Sequence, residues 1–277
     1  MLMPELPEVQ SVVDELAARL PGRSFTGGSE LLWAPVVGHP HGADFSERLD
    51  GRVVRGVRRR AKYIIIDLDA GQVLVVHLRM TGRLHFAAPD EAPDRHLRAR
   101  LPLDDGTELR FADMRKFGRL YLGTEAEVGA VTALGSLGPE PLEGTFTTAV
   151  LGARLAGKRG PIKSALLDQS VLSGLGNIYA DEALFRAGIA PRRAAGSLNE
   201  EELAALRAGI VATLSEAVER GGTSFQNYLS VAGRKGGNMP NLRVFRRDGE
   251  PCLRCETVLE RTVVGGRGTH WCPGCQH

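Results

Sequence analysis

A proline followed by a carboxylate, close to the start of the chain, could carry out amine chemistry. Pro4 precedes Glu5, and a proline at a mature N-terminus is a free secondary amine. An α-amino group has a pKa of roughly 7.7–8, so part of it is unprotonated and nucleophilic near neutral pH. The alternative is structural, because proline is favoured at the first position of a helix and Glu5 and Glu8 complement the helix dipole. The pair predicts imine chemistry at a sugar carbon, a helix start, or both.

The four cysteines form the clearest set of metal ligands. They are two C-x-x-C pairs separated by 16 residues, Cys252 with Cys255 and Cys272 with Cys275. Two such turns facing each other present sulfur in the tetrahedral arrangement that Zn²⁺ prefers. Disulfides are the alternative in a secreted protein. We predict one structural zinc ion, since four sulfur ligands leave no coordination position for water.

Composition limits the class of protein. The chain has 277 residues, 43% of them hydrophobic, and a net charge of +2, which favours two compact domains and no extended polyanion-binding surface. Basic residues concentrate at residues 52–62, which predicts either a nucleic-acid contact or a solvated strand edge. Neither a membrane span nor a secretory signal is evident, and we expect a cytoplasmic protein.

The hydrophobic periodicity predicts the elements that must position these groups. Apolar residues at helical spacing follow Pro4 up to Leu20, and six runs then read as strands of a mostly antiparallel domain. The six predicted strands are 53–57, 63–68, 73–78, 97–103, 109–111 and 120–122. A Gly- and Pro-containing linker and three amphipathic helical stretches follow. The fold class predicted is α+β with more than one domain.

A glycine-containing turn separates the first two of these helical stretches. Ser173, Gly174, Leu175, Gly176 and Asn177 permit a tight turn with close backbone approach. The N–H groups at the start of the following helix could bind a phosphate there. A plain connector between helices is the alternative.

The order of these features resembles one family, the bacterial formamidopyrimidine-DNA glycosylases, which are similar to the endonuclease VIII enzymes. The resemblance runs from Pro4 to Gln276 and rests on six markers in order. These are PELPEV at 4–9, RAKY at 60–63, HLRMTG at 77–82, DMRKFG at 113–118, GLGNIYA at 174–180 and the cysteine hairpin.

The resemblance implies a fold and a domain order. It implies an N-terminal helix with an antiparallel β-sandwich over residues 4–123 and a linker at 124–145. A helix-two-turns-helix domain follows at 146–240, and a zinc-finger β-hairpin at 241–277. Double-stranded DNA containing oxidised bases or abasic sites would bind in the cleft between the domains, to a monomeric protein. No nucleotide cofactor is expected, because no phosphate loop or dinucleotide fingerprint is present.

The family chemistry gives Pro4 and Glu5 catalytic roles. By this resemblance, the Pro4 amine attacks C1′ of a flipped-out nucleotide, while Glu5 exchanges protons with the sugar and base. The resulting iminium allows the 3′ and then the 5′ phosphate to leave by β,δ-elimination. Lys62 matches a lysine that contacts phosphate and assists proton transfer, and Arg267 matches a zinc-finger arginine linked to δ-elimination. An ordinary exposed strand lysine is the alternative for Lys62.

Further positions match DNA contacts of the family. Met80, Arg115 and Phe117 match the residues that fill the gap left by flipping, which suits a thioether, a guanidinium and an aromatic wedge. For Met80 and Phe117, core packing is the alternative. The remaining DNA-binding positions implied are His77, His96, Lys158, Lys163 and Asn177. His270 is expected to pack or face phosphate, because four cysteines already saturate zinc.

Two departures from the family pattern bear on function. Met1 and Leu2 precede the expected start, and we expect Met3 to be the functional one, so that methionine removal exposes the Pro4 amine. The loop at 233–241 reads GRKGGNMPN, where the oxidised-guanine enzymes carry an aromatic-containing sequence. We expect a bifunctional glycosylase and lyase acting on 8-oxoguanine and formamidopyrimidines. The alternatives are the same chemistry on oxidised pyrimidines and a damaged-DNA-binding protein without catalysis.

Overall fold

The structure, a computed structural model, describes residues 3–41, 43–225 and 228–277. The chain forms two compact units. Unit 1 comprises the described residues up to Ser136 and those between Gly221 and Gly237, and unit 2 comprises Leu137–Arg220 and Asn238–His277. No helix among the described residues is long and apolar enough to cross a membrane.

Unit 1 is a β-sandwich with flanking helices. A five-stranded sheet has the order β1-β8-β4-β3-β2 and a three-stranded sheet has the order β5-β7-β6. The elements are α1 (Leu6–Ala17), β1 (Val37–His39), α2 (Ala43–Leu49), β2 (Val54–Arg60), β3 (Tyr63–Leu68), β4 (Gln72–His77), β5 (Gly82–Ala87), β6 (Leu97–Pro102), β7 (Glu108–Asp113), β8 (Arg119–Thr124) and α3 (Glu125–Val131). All pairings are antiparallel except β1 with β8, which is parallel. The predicted fold class is confirmed.

Helix α1 forms because apolar residues recur on one face after a proline-containing start. Val9, Val12, Val13 and Leu16 are buried in a core shared with both sheets, together with Phe111 of β7. Burying each such side chain stabilises the fold by roughly 1.5–3 kcal/mol. The helix predicted after Pro4 is therefore confirmed, but it begins at Leu6, so Pro7 and not Pro4 lies in its first turn. That first turn is fixed against the sandwich.

All six predicted strands are present, but β1, α2, β5 and α3 of unit 1 were not predicted. In β5, Leu84 and Phe86 alternate with polar residues and both pack on the core, so a short period-2 pattern is present in the sequence. Helix α3 buries Val128 alone and lacks periodicity. It begins because the Thr124 hydroxyl accepts the Glu127 N–H at 3.2 Å and the Glu127 carboxylate accepts the Thr124 N–H at 2.7 Å. This T-x-x-E capping box lies within the predicted linker and could have been found in the sequence.

Unit 2 contains four helices and a β-hairpin. These are α4 (Thr148–Leu155), α5 (Ile162–Leu167), α6 (Asn177–Ala187), α7 (Glu200–Glu219), β9 (Glu260–Val264) and β10 (Arg267–Trp271). Helix α6 packs against both α5 and α7 and also contacts β10. It ends at Gly188, whose φ of 73° is the left-handed conformation of a helix C-cap. Two successive turns join α5 to α6, and this is the helix-two-turns-helix arrangement.

Candidate active site and nucleic-acid interface

The start of α1 holds two buried carboxylates beside Pro4. Glu5 and Glu8 are both about 2% exposed. Glu8 Oε2 accepts the backbone N–H of Glu5 at 2.8 Å, and its Oε1 accepts the N–H of Thr223 at 2.6 Å. Gly222 approaches so closely that a Cβ there would lie 2.7 Å from Glu8 Oε1. Glu8 therefore fixes the backbone beside Pro4, and its carboxylate is occupied by that task.

Lys62 lies in the turn between β2 and β3, which is tied to α1. Ala61 has a φ of 52°, and its carbonyl accepts a hydrogen bond from Arg59 Nη1 at 3.0 Å. Arg59 Nε donates to Gln10 Oε1 of α1 at 2.8 Å. Lys62 itself is only 6% exposed, which rules out an ordinary solvated strand lysine. Within the basic run at 52–62, the Lys62 side chain is therefore buried and not part of a solvated face.

His77 is the last residue of β4 and lies opposite Tyr63 of β3, the residue after Lys62. Tyr63 pairs with His77 in register, and their rings meet edge to face with centroids 4.6 Å apart. Burial, with the charges of Arg79 and Lys62, lowers the pKa of His77 to about 3. The ring is therefore neutral at physiological pH. Because Nδ1 accepts the Arg79 N–H at 3.0 Å, the ring proton resides on Nε2, which can donate to an anion.

Met80, Arg115 and Phe117 come together on two neighbouring turns. Arg115 Nη1 lies 3.0 Å from Met80 Sδ, and its guanidinium stacks 4.8 Å from the Phe117 ring centroid. Phe117 is 48% exposed and Met80 is partly exposed. The core-packing alternative therefore does not hold for Phe117. The three side chains form an accessible group that combines a thioether, a cation and an aromatic ring.

Buried Asp113 organises the turn that carries this group. One carboxylate oxygen accepts the Arg115 N–H at 3.1 Å and a short hydrogen bond from the Thr81 hydroxyl. The other accepts the Gly118 N–H at 2.7 Å. A Cβ at Gly118 would lie 2.4 Å from the Phe111 ring, so only glycine allows this close return of the chain. The turn is consequently rigid while its side chains stay exposed.

His96 lies at the same end of the three-stranded sheet. Its carbonyl accepts the Asp113 N–H at 2.8 Å, and its own N–H donates to Asp94 at 2.7 Å. The preceding loop is held by fully buried Arg110, which donates to the carbonyls of Ala88 and Glu91, both at 2.9 Å. His96 is partly exposed and can reach a ligand.

The atypical 233–241 loop is anchored at its first residues. Arg234 Nη2 lies 2.6 Å from Glu15 of α1, and the Ala232 N–H donates to the same carboxylate at 2.8 Å. Gly236 lies so close to the carbonyl of Gly222 that a Cβ would be 2.3 Å from its oxygen. A larger side chain at 236 could not be accommodated without moving this backbone.

In unit 2 the predicted phosphate turn is built around Gln169. Its Oε1 accepts the Gly174 N–H at 3.0 Å, and its Nε2 donates to the Leu175 carbonyl at 2.9 Å. Asn177 is the first residue of α6 and is partly exposed. Its Nδ2 donates to the Gly268 carbonyl at 3.0 Å. Lys158 is exposed in the loop after α4.

The hairpin carries one predicted site residue on its surface, while a second lies beneath it. Arg267 is exposed at the start of β10, directly after Gly265 and Gly266 with positive φ. Lys163 of α5 is completely buried, and its Nζ lies 2.6 Å from Asp181 Oδ1 of α6. His270 is also buried, packed edge to face on Phe245 with centroids 4.8 Å apart.

The four cysteine sulfurs converge at the base of the hairpin. All four ligand atoms lie within 4.8 Å of one another. The Cys272 N–H donates to Gln276 Oε1 at 2.8 Å, and Gln276 Nε2 donates to the Ile189 carbonyl at 2.9 Å. Four thiolates at this separation fit a tetrahedral Zn²⁺ ion with no open position. The site therefore holds a structural zinc.

Several positioning residues were missed from the sequence, and each accepts hydrogen bonds from backbone N–H groups. Besides Asp113 and Gln169, Glu182 of α6 accepts N–H donors of Arg243, Val244 and Phe245 at 2.8, 3.0 and 2.8 Å. Burial raises the pKa of the Glu182 carboxyl, although the three N–H donors act to lower it. Asp113 offers a local signal because it stands between apolar residues at the end of a strand, whereas Gln169 and Glu182 each follow an acidic residue and offer none.

Family models match three parts of the chain. The formamidopyrimidine-DNA glycosylase N-terminal domain matches residues 3–120, and the H2TH domain of the same enzymes matches residues 137–228. The zinc finger found in FPG and IleRS matches residues 249–277. Together these define a DNA-repair glycosylase fold that ends in a zinc finger.

Full-length relatives agree with these matches. The chain is 47% identical over 274 residues to the formamidopyrimidine-DNA glycosylase of Herpetosiphon aurantiacus, covering 99% of this chain and 100% of that one. The Lactococcus lactis Fpg in complex with abasic-site DNA is 32% identical with a TM-score of 0.90, covering 99% of each chain. Its complex with Fapy-dG DNA is 33% identical with a TM-score of 0.90, covering 99% of this chain and 100% of that chain. The chain belongs to the formamidopyrimidine-DNA glycosylase family, which confirms the predicted resemblance.

Proposed function

We propose that this protein excises oxidised purines from DNA and then nicks the strand at the resulting abasic site. The observation that carries this proposal is the exposed group of Met80, Arg115 and Phe117 on a turn held by Asp113. An enzyme that flips a nucleotide must fill the gap in the base stack, which otherwise costs a few kcal/mol. Arg115 would pair with the orphaned base while Met80 and Phe117 wedge the stack.

The chemistry would begin at Pro4. Its secondary amine attacks C1′ of the everted nucleotide, and the C1′–base bond breaks as the base leaves with a proton. Glu5 supplies and accepts protons at the sugar, a role open to a carboxyl beside the nucleophile. Protonation of O4′ opens the C1′–O4′ bond and gives the iminium, which acidifies C2′. Loss of that proton expels the 3′ phosphate, a second elimination expels the 5′ phosphate, and water releases Pro4.

The remaining site residues would bind DNA. Lys62 would contact phosphate and assist proton transfer, while neutral His77 would donate through Nε2. Arg267 would hold a phosphate during δ-elimination. The further DNA-binding residues are His96, Lys158 and Asn177, whereas completely buried Lys163 would contribute through the hairpin it contacts. The zinc ion would serve to hold the hairpin that presents Arg267, because the four sulfur ligands leave no coordination position for water.

The substrate class rests on the relatives. The L. lactis enzyme, 33% identical, forms a complex with Fapy-dG DNA. An oxidised purine would be the corresponding substrate here, in the cytoplasm at the nucleoid, with the protein acting as a monomer. The GRKGGNMPN loop favours a second candidate, the same chemistry on oxidised pyrimidines, because it lacks the aromatic residue of the oxidised-guanine enzymes.

Borohydride trapping tests the proposal. Protein that begins at Met3 should form a covalent complex with an 8-oxoguanine:cytosine duplex, and protein that retains Met1 and Leu2 should not. Glu5→Gln should lose base excision by roughly 10²–10⁴-fold yet still trap on abasic-site DNA. A thymine glycol duplex distinguishes the pyrimidine alternative. Absence of trapping on all three DNAs would overturn the proposal and favour a binding protein without catalysis.

A further inference from the structure

Asp181 is a buried acid within unit 2 to which no part of the proposed chemistry gives a role. It lies on α6 and is completely buried. Oδ1 lies 2.6 Å from Lys163 Nζ of α5, and Oδ2 accepts the backbone N–H of His270 at 2.9 Å. The His270 ring nitrogen Nδ1 lies 3.4 Å from the same oxygen. A single carboxylate thus joins α5, α6 and β10.

Lys163 extends this connection to the residue beside Arg267. Its Nζ donates to the Gly268 carbonyl at 3.0 Å and to the Thr269 hydroxyl at 2.8 Å. The Thr269 hydroxyl in turn donates to the Arg267 carbonyl at 3.0 Å. The path from Asp181 to the Arg267 backbone therefore runs through two side chains, both completely buried.

Asn177 reaches the same point from the start of α6. Its Nδ2 and Lys163 Nζ share the Gly268 carbonyl, each at 3.0 Å. The hairpin turn also presses on α5, since a Cβ at Gly265 would lie 2.4 Å from Ser164 Oγ. Arg267 and Asn177 are consequently held at a fixed separation by groups that solvent does not reach.

A buried ion pair contributes little net stability, because desolvation offsets most of the attraction between the charges. Its directional hydrogen bonds do, however, restrict geometry, and binding sites need their first contacts held by such supporting groups. A lysine that is fully buried with three acceptors has no proton donor left to offer a phosphate. Lys163 would therefore affect DNA binding only through the hairpin residues that it contacts.

We propose that Asp181 is a positioning residue that, through Lys163 and Thr269, sets Arg267 and Asn177 as one phosphate-binding unit. This inference rests on the proposed function, since it requires that the protein bind DNA. Arg267 and Asn177 contact the phosphate, and Asp181, Lys163 and Thr269 act only by fixing their positions. The contribution of Lys163 to DNA binding is accordingly indirect.

The test is a double-mutant cycle read out as affinity for a duplex with a tetrahydrofuran abasic analogue, measured across salt concentrations. Arg267→Ala should weaken binding and reduce the slope of log K against log salt by about one, as expected for one lost phosphate contact. Asp181→Asn should weaken binding about tenfold with the same loss of slope. Asp181→Asn should cost less affinity in the Arg267→Ala background than in the unmodified protein, because only the Asn177 contact then remains to be displaced.

Thr269→Val gives a second test that leaves the buried ion pair in place. It removes the hydroxyl that links Lys163 to the Arg267 carbonyl and should show a smaller affinity loss with the same change of slope. Glu216→Gln is the matched control, because it breaks an ion pair between Glu216 of α7 and Arg186 of α6, with Nη1 2.7 Å from the carboxylate, away from the hairpin. It should leave both affinity and slope unchanged. Zinc content establishes that each variant retains its hairpin.

Two results would contradict the proposal. Additive losses in the double variant would mean that Asp181 and Arg267 act independently, and an unchanged slope in both Asp181→Asn and Thr269→Val would mean that no phosphate contact depends on them. Failure of the proposed function is distinguishable, because the unmodified protein would then show no preference for the abasic analogue. That outcome would overturn this inference as well.

Discussion

Asp113 in unit 1 and Asp181 in unit 2 do similar work with different partners. Each is buried, and each supports a turn whose exposed side chain is a candidate DNA contact, Arg115 in one case and Arg267 in the other. Asp113 accepts two N–H donors of the turn itself and the hydroxyl of Thr81 on the neighbouring turn. Asp181 instead pairs with the ammonium of Lys163.

The difference reflects how far apart in sequence the supported parts are. Asp113 lies two and five residues from two of its donors, so a compact turn supplies them locally. The hairpin lies about 90 residues from Asp181, and the charged side chain of Lys163 spans that junction. Removal of Asp113 should therefore disturb only the 113–118 turn. Removal of Asp181 should disturb the helix contact and the hairpin together.

Loss of the zinc site should have the largest effect. Cys272→Ser removes one of four sulfur ligands, and structural zinc contributes on the order of 10 kcal/mol of folding free energy in zinc-finger peptides. We expect zinc content and DNA affinity to fall together while unit 1 retains its thermal transition. Chelation of zinc from the unmodified protein should reproduce the loss of DNA affinity. Added zinc should restore the chelated protein but not the Cys272→Ser variant. Full zinc retention by the variant would contradict the four-cysteine site.

Asp113→Ala should have the next largest effect, confined to unit 1. It leaves buried donors of the 113–118 turn without an acceptor, which should lower the free energy of unfolding by about 2–3 kcal/mol. Urea denaturation measures this change, and excision should fall while zinc content stays the same. Asp90→Ala, at an exposed position, is the control and should change neither. Loss of zinc from the Asp113 variant would mean that the support is not local.

His77 should make unit 1 sensitive to acid. Its pKa is lowered to about 3 by burial and by Arg79 and Lys62, against about 6.5 in the unfolded chain. The unfolded state therefore binds more protons between these values, and stability should fall as pH drops below about 6.5, by on the order of 2 kcal/mol at pH 5. Above pH 7 the contribution should be constant. A His77→Gln variant with an equally steep acid limb would show that another group is responsible.

Phe117→Ala should have the smallest effect on stability. The ring is 48% exposed, so the free energy of unfolding should change by no more than about 0.5 kcal/mol. Excision from lesion DNA should nevertheless decrease, because the wedge is lost. Phe111→Ala is the matched control, since that ring is fully buried and its loss should cost about 3–5 kcal/mol. A large stability loss for Phe117→Ala would restore the core-packing interpretation.

The sequence alone determined the fold class, the family and the zinc ligands. Cysteine spacing, the apolar face of α1 and the six strand patterns are local features, so they can be read without the partner elements. The ordered motifs identified the family for the same reason. Only the tertiary structure decided that Lys163 is buried, that Phe117 is exposed, and that Glu8, Asp113 and Asp181 support the turns around them. Burial and hydrogen-bond partners depend on segments as many as 215 residues apart, and no local pattern encodes which segments meet.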